Sequence, residues 1–167
     1  MRNDPSARPI PEEELTIARS LIESHRWAAL STIDDTGAPL GAMVAYVASP
    51  DLARLYLHIS QLSVHTRNLL VRPSAALTIG ENDGGHGDPQ LLARLNLQGS
   101  VMVMERESQD YQDAKQRYLK RLPHAEQLFG FGDFVMFGFV PDRAHYVGGF
   151  ARAYRFPAGK LTTGRQS

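Results

Sequence analysis

Alternation of apolar and polar side chains predicts that most of this chain folds into short β-strands. In the segment 54–60, Leu55, Leu57 and Ile59 fall on one face and polar residues fall on the other. Similar segments recur along the chain, separated by short turns rich in Gly, Pro, Asp and Ser. The predicted strands are residues 27–33, 38–48, 54–60, 75–80, 91–104, 134–140 and 144–150, with 152–156 as a further candidate. Gly99 predicts a bulge or a close approach within the strand 91–104, and Pro141-Asp142-Arg143 is the predicted turn between the strands 134–140 and 144–150.

Other segments repeat their apolar residues every three or four positions, which is typical of helices. The predicted helices are residues 11–25, 62–72 and 107–122. Pro11 and the three glutamates after it suit the first turn of a helix. In the second helix, Leu62, Leu69 and Leu70 form the predicted buried stripe. Because most strands follow one another through short turns, we expect a mainly β protein with flanking helices (α+β), whose antiparallel sheet closes into a barrel.

The junction between the third predicted strand and the second helix concentrates polar side chains. They are Ser60, Ser63, His65, Thr66, Arg67 and Asn68. The first turn of a helix has unpaired N–H groups and a positive dipole end, so an anion finds donors already pointing at it. Ser63 or Thr66 can add a hydroxyl. His65 or Arg67 can add a positive charge. The junction therefore predicts an anion site that could hold a phosphorylated cofactor. The alternative is that Ser60 or Ser63 caps the helix and Arg67 lies on its solvated face.

Composition limits the compartment and the partners. Lys plus Arg and Asp plus Glu both number 18, so the chain has no net charge to attract nucleic acid or an anionic membrane. The absence of cysteine excludes disulfides, thiolate metal sites and cysteine nucleophiles, and fits a reducing compartment. Residues 1–11 lack the apolar core of a signal peptide, and no stretch is long enough to span a membrane. We expect a cytoplasmic protein with one domain at residues 11–156, a flexible amino-terminal tail at 1–10 and a carboxyl-terminal tail at 157–167.

Outside the junction the sequence offers few chemical motifs. The histidines have no close ligand spacing, so we predict no metal site. No nucleotide-binding glycine motif or Gly-x-Ser-x-Gly elbow occurs, and no residue stands out as a general base. Arg94 interrupts an apolar strand, and three interpretations are open. Its side chain lies on the outward face, or reaches a cofactor phosphate, or pairs across a subunit contact. Gly148 and Gly149 favour a tight turn, and also permit the close approach of a flat ligand.

Four segments together resemble the pyridoxamine 5′-phosphate oxidase-like flavin-binding split barrels, and within them the HugZ-type haem-utilisation group. The residues that carry the resemblance are Ser31-Thr32 with Gly37-x-Pro39, Ile59-Ser60-x-Leu62-x-x-His65-Thr66-x-Asn68-Leu69, Ala93-Arg94-Leu95-x-Leu97-x-Gly99, and Val147-Gly148-Gly149-Phe150-x-Arg152-Ala153. The resemblance covers residues 11–154, nearly the whole chain, and rests on the order and spacing of all four segments.

This resemblance implies a six-stranded antiparallel split barrel that forms a homodimer, with flavin mononucleotide (FMN) or haem in the groove between subunits. In the flavin-binding relatives the second strand runs beside the isoalloxazine ring, a role that maps onto Ala42, Met43 and Val44. The third strand and the helix after it hold the phosphate, a role that maps onto Ile59, Ser60, Ser63, His65 and Thr66.

The chain departs from true pyridoxamine 5′-phosphate oxidases, whose second strand carries an Arg-x-x-Leu-Leu-Lys pattern. Here that strand reads Gly41-Ala42-Met43-Val44-Ala45-Tyr46, and we assign no Arg-x-His substrate motif near the carboxyl end. We therefore expect no vitamin B6 oxidation.

Three hypotheses follow. The first is an FMN-binding dimer, with or without oxidoreductase activity, in which a cationic His65 with a raised pKa contacts the phosphate. The second is a haem-binding or haem-degrading protein that uses His65, Arg94 or Arg152 near the propionates or the iron. Longer HugZ-type proteins have an additional carboxyl-terminal domain that helps to bind haem, which residues 157–167 are too few to form. The third is a cofactor-free dimer whose groove binds a partner.

Overall fold

The computed structural model describes residues 8–163 and is organised around one antiparallel sheet. The strands are β1 (Trp27–Ile33), β2 (Pro39–Ala45), β3 (Val47–Ala48), β4 (Leu55–Ser60), β5 (Ser74–Gly80), β6 (Arg94–Val103), β7 (Phe134–Val147) and β8 (Ala153–Pro157). The α-helices are α1 (Glu12–Ser24), α2 (Val64–Val71) and α3 (Gln109–Arg121), and 3₁₀ helices span Pro89–Leu91, Pro123–Gly130 and Ala158–Leu161. These elements confirm the predicted mainly β fold with flanking helices.

The sheet curls so that β2, the strand at one edge, comes close to β4 near the other edge. Its strand order is β2-β1-β5-β6-β7-β4-β3, with β8 beside β7. After Tyr46, the chain passes from β2 into β3, which pairs with β4 through Val47 opposite Tyr56 and Ala48 opposite Leu55. β2 contacts β4 but shares no strand pairing with it. The barrel is therefore split along the line between β2 and β4.

The sheet has eight strands, whereas the resemblance implied six. The predicted strand 38–48 divides at Tyr46 into β2 and β3, because its two parts pair with different neighbours. The candidate strand at 152–156 is present as β8, which pairs with the second half of β7.

A turn predicted at Pro141-Asp142-Arg143 is wrong, because β7 continues through these residues. The neighbouring strand accommodates the proline, since β6 shifts its register between Gln98 and Gly99 where it faces Pro141. A Cβ atom on Gly99 would lie 2.1 Å from the carbonyl oxygen of Val140. This confirms the prediction that Gly99 marks a bulge or a close approach.

The interior of the barrel is filled by apolar side chains from all the long strands. Among the fully buried ones are Leu30, Leu57, Leu77, Leu97 and Phe137. α1 packs against β5 and β6, while α2 packs against β1 and β2. The predicted stripe of α1 is buried as expected, and its members are Leu15, Ala18, Leu21 and Ile22.

The predicted buried stripe of α2 is wrong at two of its three positions. Leu69 is buried, but Leu62 is 77% exposed and Leu70 is 49% exposed. Leu62 precedes the helix, in the turn that leads into it. The buried face of α2 instead holds two polar residues, Thr66 and Asn68, beside Leu69.

The hydrophobic core extends beyond the predicted domain limits at residues 11 and 156. Ile10, Ala158 and Leu161 are all buried in the main core. Arg19 of α1 holds the carboxyl-terminal 3₁₀ helix by donating to the carbonyl oxygen of Leu161 at 3.3 Å. Residues 1–7 and 164–167, the outer parts of the two predicted tails, lie outside the described residues.

A second apolar cluster covers the outer face of β4 and the first half of β7. It joins α3 and the 3₁₀ helix Pro123–Gly130 to the sheet, through residues that include Val47, Met104, Tyr111, Ala114, Tyr118 and Met136. His58 on β4 is 5% exposed here and stacks on Phe129, with 3.8 Å between the ring centroids. Within residues 8–163, no helix has the length and apolar content needed to cross a bilayer.

The outer faces of β1, β2, β5 and β6 are much more open. The residues that alternate with the core along these strands stay exposed or half-buried, and include Trp27, Ser31, Met43, Thr78, Asn96 and Met102. The barrel therefore presents one broad sheet face that the described part of the chain does not cover.

Candidate functional site

The start of α2 presents backbone donors that have no acceptor in the described part of the chain. The amide of Arg67 donates to the carbonyl oxygen of Ser63 at 3.2 Å and closes the first turn. Within residues 8–163, the amides of Val64, His65 and Thr66 have no acceptor, and the Ser63 side chain makes no capping hydrogen bond. These amides lie at the positive end of the helix dipole, which favours an anion there.

Ser60 fixes the turn that leads into α2. Its hydroxyl donates to Asp133 Oδ2 at 2.5 Å and accepts from the amide of Leu62 at 3.1 Å. The neighbouring amide of Gln61 donates to the carbonyl oxygen of Asp133 at 2.8 Å. The Ser60 hydroxyl already donates its proton to Asp133, so it cannot donate to a ligand. Ser60 therefore positions the start of the helix.

Thr66 is the residue of this site whose hydrogen bonding is incomplete. It is fully buried, and its Oγ1 has no partner in the described part of the chain. Two residues further, Asn68 Nδ2 donates to Thr32 Oγ1 at 3.1 Å and fixes α2 against β1. An unpaired buried hydroxyl costs about 1–3 kcal/mol, a cost that a ligand oxygen would remove. The hydroxyls of Ser63 and Thr66 with the free amides fit the oxygens of a phosphate or a carboxylate.

His65 is half-buried, and this burial lowers the pKa of its imidazole. The neutral ring is favoured because burial penalises its charged form. The predicted cationic His65 depends on a bound phosphate, whereas in the ligand-free ring burial is the cause of the shift. Arg67 lies exposed, and its Nη1 donates to the carbonyl oxygen of Leu62 at 3.2 Å. Backbone amides and hydroxyls therefore make up most of this anion site.

The residues predicted to lie beside a flavin ring divide between the two faces of β2. Ala42 pairs with the buried Leu30 of β1, and cross-strand neighbours share a face, so Ala42 points into the barrel as Val44 does. Met43 points outward and is 48% exposed. Ile59 of β4 faces the core. Met43 is thus the member of this predicted set whose side chain lies on the open face.

Arg94 lies far from the start of α2. It pairs with Val147 of β7, whereas Ser60, which leads into α2, pairs with Phe134 at the opposite end of β7. Along the strand, 147 − 134 = 13 residues separate these two positions, about 40 Å. The Nη1 atom of Arg94 donates to the carbonyl oxygens of Gln90 and Leu92, at 3.0 and 3.2 Å. Arg94 therefore lies outside the α2 site of its own chain, on the outward face that was one of its three interpretations.

Arg152 lies at the same end of the barrel as Arg94 and forms an ion pair. Its Nη1 lies 3.3 Å from Oε1 of Glu14, a carboxylate that is 3% exposed. Gly148 makes room for this pair, because a Cβ atom there would lie 2.7 Å from Glu14 Oε2. The glycine pair belongs to the hairpin between β7 and β8, and Gly149 has φ 114°. The structure therefore favours the tight-turn interpretation of Gly148 and Gly149.

We missed one group of basic residues in the sequence. The expectation that no Arg-x-His motif lies near the carboxyl end is wrong, because residues 143–145 read Arg143-Ala144-His145; the expected lack of vitamin B6 oxidation then rests on the second strand alone. In the continuous β7, Arg143 and His145 line a cleft of about 530 Å³, together with Arg155 of β8 and Gln98 of β6. The signal was present in the spacing Arg-x-His, which places two polar side chains on one face of a strand.

Comparisons with known proteins agree with this architecture. The family model described as CREG, beta-barrel, matches residues 9–158. The chloroplastic heme oxygenase HOZ of Arabidopsis thaliana is 31% identical over 152 residues, which are 89% of this chain and 44% of that protein. The chain thus spans less than half the length of this relative.

Solved structures give the same fold. A heme binding protein from Mycobacterium smegmatis superposes with a TM-score of 0.78 and 25% identity, over 93% of this chain and 60% of that one. A protein of the pyridoxinephosphate oxidase family from Clostridium acetobutylicum gives a TM-score of 0.68 at 17% identity, over 91% and 99% of the two chains. The second likeness concerns the fold alone.

Proposed function

Because the chain belongs to the CREG β-barrel family and has the pyridoxamine 5′-phosphate oxidase-like split-barrel fold expected from its HugZ-type sequence motifs, we propose that it binds haem at the start of α2. The observation that carries this proposal is the donor set formed by three free amides and the unpaired hydroxyl of Thr66. Haem carries two propionate carboxylates, and such a donor set binds a carboxylate well. The named relatives that bind or act on haem favour this cofactor over others.

His65 supports the same proposal through its neutral imidazole. Burial lowers the pKa of His65, so the ring keeps a free nitrogen lone pair at neutral pH. A neutral imidazole is a common iron ligand in haem proteins, whereas a cationic one cannot coordinate iron. His65 would then serve the iron, and the amides of the same helix turn would hold a propionate. The bound haem would supply the redox chemistry, and the chain would bind and orient it.

FMN is the second candidate, because the same donor set also fits a phosphate. Phosphate offers more oxygens than a carboxylate to the free amides and hydroxyls. Burial favours the neutral form of His65, so affinity for FMN would rest mainly on the amides, Ser63 and Thr66. The cofactor-free binding module remains the third hypothesis.

The absorption spectrum of the purified protein, measured with haemin and separately with FMN at equal concentration, tests this proposal. We expect a sharp Soret band that co-elutes with the protein, and no retained flavin. His65→Ala should shift or broaden that band, and the exposed His124→Ala is the matched control. A retained flavin double band without a Soret band would favour FMN, and retention of neither would favour the cofactor-free module. An identical Soret band in His65→Ala would rule out the ligand role of His65.

We also propose that the chain forms a homodimer through the open sheet face. Trp27 is 55% exposed there and Met43 and Met102 are similarly exposed, an amount of apolar surface that a partner surface would bury. Light scattering after size exclusion should give twice the chain mass, and Trp27→Glu should give monomers. Phe150→Glu is the control, because Phe150 is equally apolar and more exposed but lies on the β7–β8 hairpin. A monomeric wild type would refute the dimer.

Haem degradation, the activity named for the Arabidopsis relative, is a further step of this proposal. Adding ascorbate as reductant to the aerobic haem complex should bleach the Soret band faster than it bleaches free haemin. A complex that is stable to ascorbate would limit the protein to binding haem.

A further inference from the structure

A second cleft lies at the other end of β4 from the α2 site. It measures about 440 Å³ and lies between the end of α1, the segment from β3 to Leu52, and the last turns of α3. Its edge on β3 is Ala48, which pairs with Leu55 at the start of β4, whereas Ser60 at the other end leads to α2. Five residues of strand separate Leu55 from Ser60, about 17 Å. We call this second cleft the basic cleft.

The floor of the basic cleft is apolar. Ile22, Tyr46, Val47 and Leu52 line it, and each is at most 5% exposed. The one polar atom among these side chains, the Tyr46 hydroxyl, already donates to the carbonyl oxygen of Ile22 at 2.9 Å. The floor can therefore contact the apolar part of a ligand.

The wall contributed by α3 is basic. Arg117, Lys120 and Arg121 line the cleft, and Glu23 is the one acidic residue among those that line it. Arg121 is committed, since its Nη2 donates to the carbonyl oxygens of Glu23 and Ser24 at 3.0 and 3.2 Å. In residues 8–163, neither Arg117 nor Lys120 makes an ion pair or a side-chain hydrogen bond. One helical turn apart, these two cations can approach the same anion.

The carbonyl groups at the end of α1 do not need Arg117 or Lys120 as hydrogen-bond donors. The carbonyl oxygen of Leu21 accepts from the His25 amide and ring, and that of Ile22 accepts from Tyr46. The last two carbonyls are satisfied by Arg121. Arg117 and Lys120 therefore remain without an ion-pair partner in residues 8–163, although both also border a neighbouring cleft that holds Asp110 and Asp113.

His25 adds an unsatisfied nitrogen to the same cleft. Its Nδ1 lies 3.0 Å from the carbonyl oxygen of Leu21, which requires a proton on Nδ1. Its Nε2 is buried without a partner in the described residues. A buried polar atom without a partner is uncommon in folded proteins, and here it belongs to a residue that lines a cleft.

From this arrangement we propose that the basic cleft is a second ligand site, which binds a small organic anion: an apolar body on the floor and a carboxylate, phosphate or sulfonate group between Arg117 and Lys120. Its volume lies within the usual range for small-molecule sites. The site is independent of the proposed cofactor site, because no residue named for the cofactor lines it.

The probe for this site is 8-anilinonaphthalene-1-sulfonate, an aromatic anion whose fluorescence rises on binding. We expect saturable binding of one probe per chain, weakened several-fold when NaCl rises from 50 to 300 mM because surface charges are screened. Arg117→Gln combined with Lys120→Gln should weaken binding about tenfold, as expected when two solvent-exposed charge contacts are lost. Arg72→Gln combined with Lys160→Gln is the matched control, which removes the same charge at exposed positions outside the described clefts and should leave affinity unchanged.

Two further measurements separate this site from a merely apolar surface. N-phenyl-1-naphthylamine has the same aromatic skeleton without the sulfonate and should bind at least about tenfold more weakly, since it cannot use the two cations. Amide chemical-shift changes on adding the sulfonate should centre on residues 22–25, 46–52 and 117–121. Equal affinity for the neutral probe would overturn the proposal. So would unchanged binding by the Arg117/Lys120 variant, or loss of binding in the control variant. Melting temperatures of both double variants should match the wild type, because all four substituted side chains are exposed.

Discussion

Replacing His58 with phenylalanine should make the folded protein less sensitive to acid. His58 is buried between β4 and the 3₁₀ helix Pro123–Gly130, where it stacks on Phe129 and lies edge-on to Tyr118. Burial, and to a lesser extent the charges of Arg106 and Lys115, lower the pKa of His58 to about 4. The unfolded chain binds this proton near pH 6.5. Between these two values the unfolded state carries more protons, so stability falls as pH falls.

The magnitude follows from the two pKa values. A folded pKa of about 4 and an unfolded pKa of 6.5 make folding less favourable by about 2 kcal/mol at pH 5 than at pH 8, and by about 3 kcal/mol below pH 4. Phenylalanine keeps the stacking area and has no proton to bind. It also removes Nδ1, which is buried without a partner in the described chain.

Urea denaturation followed by circular dichroism, at several pH values from 5 to 8, measures this effect. The quantity to plot is the unfolding free energy of the wild type minus that of His58→Phe, because the other titrating groups cancel in the difference. It should fall by about 2 kcal/mol from pH 8 to pH 5. His124→Phe is the control, since His124 is exposed in the folded state and the corresponding difference should stay flat. A flat difference for His58→Phe itself would refute the reasoning.

Three other substitutions test the packing and the site. Gly99→Ala should destabilise the protein by at least about 3 kcal/mol, because its Cβ would lie 2.1 Å from a backbone oxygen. Gly41→Ala is the control and should cost under about 1 kcal/mol, since no atom lies within 4 Å of its Cβ. Equal midpoints of urea denaturation for these two variants would contradict this reasoning. Thr66→Val should raise the melting temperature of the ligand-free protein, by the equivalent of about 1 kcal/mol, while weakening haem binding in a spectroscopic titration; a variant with unchanged haem affinity would remove Thr66 from the site. Ser63→Ala should leave stability nearly unchanged, since its side chain makes no capping bond among the described residues, and should weaken haem binding; a large loss of stability would mean that Ser63 is structural.

Local signals were sufficient to locate the strand–helix junction that carries the candidate site. The change from alternation to helical spacing after Ser60 depends on a few neighbouring residues, and it located the start of α2 to within two residues. The same holds for Gly99, because a glycine inside an apolar strand usually marks a bulge or a close backbone approach. The barrel itself came from the succession of short strands and from the family resemblance, which together gave the fold but not its strand count.

The errors come from contacts between distant parts of the chain. Pro141 and Asp142 are typical turn residues, and only the bulge at Gly99, about forty residues earlier, accounts for the continuation of β7 through them. His58 alternates like an exposed residue, yet Phe129 and Tyr118 cover it. The burial of His65, which lowers the pKa of its imidazole, likewise depends on packing that no spacing in the sequence reveals.

The position of β7 in the sheet also sets the order in which the molecule can be completed. Ile59 of β4 pairs with Val135 of β7, a separation of 135 − 59 = 76 residues, so one edge of β4 has no partner until the chain beyond 134 exists. At typical rates of translation, synthesis of that intervening segment takes about 4–15 s. During this time the hairpin of β3 and β4 presents an apolar strand with open backbone groups, which is the kind of edge that recruits other chains. Barrel closure is therefore a late event in synthesis, and the most aggregation-prone nascent chains should be those that end before β7.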